Sequence, residues 1–133
     1  MDIDFRKDQL TGMKILIVDD EPNNLDIMGH FLRSGGLNIS IATSGNQALS
    51  IVSKNKPDLI LLDMNFSLDT TSGEEGLRFL TWLSKSDFVL PVIAMTGWSN
   101  VDLAVNAMRL GACDFIEKPW NNQRLMQIIR QQL

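Results

Sequence analysis

Five short apolar runs alternate along the chain with segments whose apolar residues recur at helical spacing. The runs are KILIV (14–18), NISIA (38–42), DLILLD (58–63), LPVIAM (90–95) and CDFIE (113–117). They are too short for buried helices, and continuous apolar runs such as KILIV, rich in β-branched residues, are typical of strands covered on both faces. Strict alternation of strands and helices predicts one parallel sheet with right-handed crossovers and helices on both sides.

The segments between the runs have helix boundary signals. Pro22 occupies a first-turn position, Gly35 and Gly36 predict the end of that helix, and Ser44 predicts the N-cap of the next. Trp120 is predicted to begin the last helix. The apolar residues predicted to form the inner face of the first helix are Leu25, Ile27, Met28, Phe31 and Leu32.

Length and charge exclude several classes of protein. The 133 residues are enough for one domain, which we place at 12–133 after a polar lead-in over 1–11. A formal net charge of −4 argues against nonspecific binding to nucleic acid or anionic membranes. No apolar run is long enough to span a bilayer, and the single Cys113 fits a reducing cytoplasm, where we expect it to fill core space.

Polar residues stand at the ends of four predicted strands. Asp19 and Asp20 follow the first, Asp63 ends the third, Thr96 follows the fourth and Lys118 follows the fifth. The residues at the other three strand ends each fit a solvated turn when taken alone, whereas a carboxylate that ends the most apolar strand, as Asp63 does, is costly to bury unless it faces a cleft or a partner. In a parallel sheet all these ends lie at one edge, where ligands bind. Three crowded carboxylates raise one another's pKa unless a cation joins them. The set therefore predicts a hard divalent-metal site with an adjacent hydroxyl and ammonium.

Four motifs in this order resemble the signature of bacterial two-component response-regulator receiver domains. They are VDD (18–20), LLDMN (61–65), AMTG (94–97) and FIEKPW (115–120). The resemblance covers roughly residues 12–131 and implies a flavodoxin-like fold of five βα units, with strand order 2-1-3-4-5. Residues 94–120 look most like the receivers of nitrogen-regulation-type (sigma-54-dependent) transcription activators.

The resemblance implies a role for each strand-end residue. Asp63 would accept a phosphoryl group from a sensor histidine kinase. Asp19, Asp20, Asp63 and the backbone carbonyl of Asn65 would hold Mg²⁺, with Mn²⁺ as the alternative ion. Lys118 and Thr96 would contact phosphoryl oxygens. Such a domain catalyses only its own phosphorylation and dephosphorylation, and is not a turnover enzyme.

The same resemblance implies a switch. Thr96 would move toward the phosphoryl group and Phe115 would rotate into the vacated space, changing the surface of the fourth helix, fifth strand and fifth helix. The bond between Lys118 and Pro119 would be cis. Phe115 also fits an ordinary half-buried strand aromatic. The expected partners are the kinase and an output domain or protein that regulates transcription, with a phosphorylation-dependent homodimer as a further expectation.

Two features leave alternatives open. The segment from Asn65 to Gly76 is several residues longer than the usual Met-Pro-x-x-x-Gly loop, and fits either an exposed acidic loop or a partner contact. The chain ends in or just after its last helix, so it fits an excised domain or a free-standing receiver.

The rival functions are a phosphatase with an aspartyl nucleophile and an unphosphorylated interaction module.

Trp98 and Asn65 occupy positions that tune dephosphorylation in the resembled family. A large ring near the mouth of the site would shield the acyl phosphate from water, although Trp98 also fits a surface or partner contact. We therefore predict that Trp98→Ala shortens the lifetime of the phosphorylated form. The measurement is the decay of the adduct after removal of the phosphodonor, and an unchanged decay rate would refute shielding.

Overall fold

The structure, a computed structural model, describes residues 11–64, 74–97 and 101–132. Within these ranges five strands alternate with five helices. The strands are β1 (Lys14–Val18), β2 (Asn38–Ala42), β3 (Leu59–Asp63), β4 (Val92–Gly97) and β5 (Asp114–Lys118). The helices are α1 (Pro22–Ser34), α2 (Gly45–Lys54), α3 (Glu74–Lys85), α4 (Val101–Arg109) and α5 (Asn122–Gln132).

The strands form one parallel sheet in the order β2-β1-β3-β4-β5, which confirms the predicted flavodoxin-like topology. All four strand pairs are parallel, and β3 lies at the centre with every residue buried. The central position follows from composition, because β3 is the most continuously apolar run. Its last residue, Asp63, is therefore a buried carboxylate at the carboxyl end of the central strand.

Two hydrophobic cores lie on opposite faces of the sheet. Alternate strand residues supply them, so that Ile15 and Ile17 pack on one face while Leu16 and Val18 pack on the other. The first face packs against α1 and α5, and the second against α2, α3 and α4.

Among the described residues, no helix is both long and apolar enough to cross a bilayer.

The helix boundaries follow local capping chemistry. Ser44 caps α2 as predicted, because its hydroxyl accepts from the backbone N–H of Gln47 at 3.1 Å. The prediction that Trp120 begins the last helix is wrong. The side chain of Asn121 accepts from the N–H of Arg124 at 2.7 Å, so α5 begins at Asn122. Trp120 instead packs against the core beneath α1 and α5.

The prediction that Ile27 lies on the inner face of the first helix is wrong. Its side chain is 61% exposed, whereas Leu25, Met28 and Leu32 of the same helix are buried. At about 100° per residue, Ile27 lies roughly 140° or more from Leu25 and Leu32 around the helix axis, and so falls outside the inward stripe. Cys113 is half-buried against the same core, where its Sγ donates to the carbonyl of Val92 at 3.2 Å.

The two environments of isoleucine give a matched test of the core. Ile60→Ala removes a fully buried side chain from β3, and should lower the free energy of unfolding by about 3 kcal/mol. Ile27→Ala removes a largely exposed one and should cost less than about 1 kcal/mol. Urea unfolding of both variants measures the difference, and equal losses would contradict the described packing.

Candidate functional site

Three polar side chains lie almost fully buried at the carboxyl edge of the sheet. Asp19 directly follows β1, Asp63 ends β3 and Thr96 lies near the end of β4, and each is only 1% exposed. Burial of polar groups at this depth is costly unless they have partners. The structure thus brings together strand ends that are separated by more than seventy residues in sequence.

The carboxylate of Asp19 is oriented by the start of α1. The backbone N–H of Glu21 donates to Oδ1 at 2.9 Å, and the Nδ2 of Asn24 lies 3.5 Å from Oδ2. Glu21 also caps the helix, since its side chain accepts from the N–H of Asn23. Sequence reasoning missed Asn24, because a polar residue in a first helical turn looks like any solvated one.

Asp19, Asp20 and Asp63 form a compact acidic group. Each offers a carboxylate oxygen, and these oxygens all lie within 4.8 Å of one another. Burial, and after it the negative charge of Asp63, raise the pKa of Asp19 from 3.8 to about 6. Clustered oxygen donors of this kind fit a small hard cation such as Mg²⁺. The predicted fourth ligand, Asn65, lies outside the described residues, as does Trp98.

Lys118 provides a cation at this site. Its Nζ lies 2.6 Å from Oδ1 of Asp63, although β4 separates their two strands. The Lys118 side chain is 20% exposed while that of Asp63 is 1% exposed, so the ammonium lies between the buried carboxylate and solvent. The peptide bond between Lys118 and Pro119 is cis. A positive charge here faces any anion that enters the site.

Thr96 and Phe115 lie on the same face of the sheet. Ala94 pairs with Phe115 and Thr96 pairs with Glu117, so Thr96 and Phe115 are two residues apart in register. Thr96 is buried, whereas the Phe115 side chain is 38% exposed. A change in the position of Thr96 would therefore act on the face from which Phe115 extends.

A cleft of about 640 Å³ opens beside Lys118. Its walls come from the first turns of α1, the end of β4 and the segment that joins β5 to α5. The lining residues are Asn24, Ile27, Gly97, Lys118, Pro119, Trp120, Asn121 and Asn122. The exposed Ile27 gives this opening an apolar wall next to a charged residue of the site.

Comparison with known proteins identifies one family. The model for the response regulator receiver domain matches residues 15–130. The nitrogen assimilation regulatory protein NtrX of Azorhizobium caulinodans is 35% identical over 119 residues, covering 90% of this chain and 26% of that protein. The transcriptional regulatory protein ZraR of Escherichia coli is 33% identical over 122 residues, covering 92% and 26%.

A solved structure matches at similar identity. The receiver domain of NtrX from Brucella abortus has a TM-score of 0.79 and 34% identity, covering 90% of this chain and 97% of that chain. The present chain spans about a quarter of the length of the curated relatives named above. The boundary predicted at residue 12 stays a prediction.

The raised pKa of Asp19 predicts a pH dependence of stability. Because its folded pKa of about 6 lies above the unfolded value of 3.8, folding favours the protonated form. The stabilisation of the folded state by protonated Asp19 is fully present below pH 3.8 and is lost as pH rises through 6. The total loss in the free energy of unfolding is on the order of 3 kcal/mol. In a chelating buffer, the free energy of unfolding, measured by urea titration, should therefore fall as pH rises from about 4 to 7, with somewhat under half of the total loss between pH 5 and 7.

Asp19→Asn is the control for this effect, because it removes the titrating group and keeps the side-chain shape. Asp19→Asn should make the free energy of unfolding depend less on pH between pH 5 and 7. Mg²⁺ should raise the stability of the unmodified protein at pH 7 more than at pH 5, since protons and the cation compete for the same carboxylates. A wild-type stability that is flat between pH 5 and 7 without metal would contradict the assignment.

Proposed function

Because this chain belongs to the response regulator receiver domain family, we propose that it is a phosphoacceptor and that Asp63 is the phosphorylated residue. The observation that supports this most directly is the carboxylate of Asp63, buried at a sheet edge between two further carboxylates and the Lys118 ammonium. A carboxylate in this setting is an oxygen nucleophile that an anionic phosphodonor could approach when the Lys118 ammonium and a bound divalent cation together offset the repulsion.

The proposed reaction is a single phosphoryl transfer. An oxygen of Asp63 attacks phosphorus in line with the P–N bond of a phosphohistidine on a sensor kinase. The new P–O bond forms as the P–N bond breaks, and its electron pair leaves with the imidazole nitrogen. The protein makes no other covalent bond, so its contribution is positioning and electrostatic stabilisation.

The clustered carboxylates of Asp19, Asp20 and Asp63 would hold Mg²⁺, or Mn²⁺ as the alternative, and the backbone carbonyl of Asn65 is the proposed further ligand. The ion would supply positive charge that balances both the carboxylates and the phosphoryl oxygens. Asp19 serves as a ligand in its deprotonated form. The N–H of Glu21 helps to hold that form by donating to its Oδ1.

Lys118 and Thr96 bind the transferred group. Lys118 already lies 2.6 Å from an oxygen of Asp63. When that carboxylate becomes an acyl phosphate, its own charge is lost and the ammonium pairs with a phosphoryl oxygen instead. The Thr96 hydroxyl, buried on the neighbouring strand, donates to another.

The movement of Thr96 supplies the signal. Phe115 extends from the same face of the sheet and would turn inward when Thr96 shifts. Val105 and Met108 of α4 are also more exposed than large apolar residues usually are, at 42% and 40%. The surface of α4, β5 and α5 is therefore the proposed contact with an output domain, an output protein or a second copy of the chain.

The proposed setting is the cytoplasm, and the proposed output is transcription. The curated relatives include one named as a nitrogen assimilation regulatory protein and one named as a transcriptional regulatory protein. The cleft beside Lys118 is the proposed approach for the kinase, because it leads from solvent to Lys118, the ion-pair partner of Asp63, and has the exposed Ile27 on its wall.

Acetyl phosphate with Mg²⁺ tests the acceptor assignment. The wild-type protein should gain one labile phosphoryl adduct by intact mass, and Asp63→Asn should gain none. Lys118→Ala should form the adduct about a hundredfold more slowly, because it removes a preorganised charge. Asp87→Asn, an exposed acid in the connection between α3 and β4, is the matched control and should behave as wild type.

Three outcomes separate the rival functions. A labile adduct that depends on Asp63 supports the receiver assignment. Rapid release of phosphate from varied phosphoesters, without an adduct, would indicate an aspartyl phosphatase. A protein that forms no adduct and releases no phosphate would indicate an interaction module that does not use the site.

A further inference from the structure

Gly76, in the first turn of α3, packs directly on Met64, the residue that follows Asp63. A Cβ atom built on Gly76 would lie 2.9 Å from the Sδ of Met64, 3.0 Å from its Cε and 3.2 Å from its Cα. The contact with Sδ is shorter than real Cβ contacts, and the other two are tighter than nine in ten of them, so Met64 would have to shift. Only a residue without a side chain fits between α3 and the end of β3.

Met64 has little freedom to give way. It is fully buried, and its side chain is part of the core on the α2, α3 and α4 face of the sheet. Its backbone N–H donates to the carbonyl of Met95 at 2.9 Å, which continues the β3–β4 pairing one residue beyond Asp63. A side chain at position 76 would therefore push the end of the Met64 side chain into the surrounding core and shift its Cα relative to α3 by a few tenths of an ångström.

Glycine is otherwise a poor choice at this position. In a helix it is less favourable than alanine, because it loses more backbone entropy on folding. The contact with Met64 gives a physical reason for accepting that cost. It fixes the distance between α3 and the backbone that presents the phosphoacceptor.

We propose that Gly76 is a positioning residue for Asp63, which it acts on through Met64. The inference rests on the proposed phosphoacceptor function. Bulk at position 76 moves Met64, and Asp63 moves with it because the two residues share a peptide bond. The contact between Asp63 and Lys118, set at 2.6 Å, and the grouping with Asp19 and Asp20 are then disturbed.

The test compares two helical glycines in the whole chain. Gly76→Ala should slow phosphorylation by acetyl phosphate at saturating Mg²⁺ by about threefold to tenfold, because a 1 Å misplacement of a reacting group costs about a hundredfold and the overlap with Met64 Cα requires a shift of only a few tenths of an ångström. Gly29→Ala is the control. It is a buried glycine of α1 whose added Cβ would meet only the flexible end of Arg33, at 3.4 Å, so its rate should stay within about twofold of wild type.

A second substitution separates positioning from general damage. Met64→Val removes the Sδ and Cε atoms that the new Cβ would meet, so the double variant Gly76→Ala with Met64→Val should regain part of the lost rate relative to Gly76→Ala. Urea unfolding of every variant reports whether the fold is retained. A folded Gly76→Ala with a wild-type rate, or a rate loss that Met64→Val does not relieve, would overturn the proposal.

The crystal structure of Gly76→Ala distinguishes this inference from the proposed function. If the wild-type protein takes up no phosphate, the phosphoacceptor assignment fails by itself. The positions of Met64 Cα and of the Asp63 carboxylate relative to Lys118 then decide the packing inference. Displacement of both supports it, and a Met64 and Asp63 that stay in place refute it.

Discussion

The ion pair between Lys118 and Asp63 is the interaction on which the rest of the site depends. A carboxylate that is 1% exposed and next to two other carboxylates needs a cation nearby, and the Lys118 ammonium lies 2.6 Å away. To supply it, β5 must lie close enough for a lysine at its end to reach past β4. The sheet order β2-β1-β3-β4-β5 meets that requirement, and it also brings Asp19 to the other side of Asp63.

The charge balance explains why the site suits phosphoryl transfer. One ammonium does not offset three carboxylates, and the imbalance contributes to the pKa of about 6 at Asp19, where burial has the larger effect. A divalent cation would remove the imbalance, and a phosphoryl group would bring new negative charge to the same place. Under the proposed function, binding of both would relieve this imbalance, which is the proposed basis of the switch.

The pattern of strands and helices was predictable because each element has a strong local signature. β1 and β2 occupy the predicted residues, and Ser44 caps its helix as expected. Local sequence patterns did not predict the end of a strand or the inner face of a helix where tertiary packing determines them. β4 runs from Val92 to Gly97 rather than over 90–95, because pairing with β5 extends through Thr96 and Gly97. Ile27 is exposed because the packing direction of α1, not hydrophobicity alone, selects the inner face.

The sequence by itself determined the order of the elements, the chemistry of the residues at the strand ends and their resemblance to receiver domains. These follow from short-range periodicity and residue type. The tertiary structure alone decided the distances: Lys118 against Asp63, Asn24 near Asp19, and Gly76 against Met64. The first and last of these contacts join residues that are distant in sequence or separated by a long connection, and the contact of Asn24 with Asp19 depends on how α1 is placed after β1. No local pattern encodes them, and they arise only when the sheet has formed and the helices have packed on it.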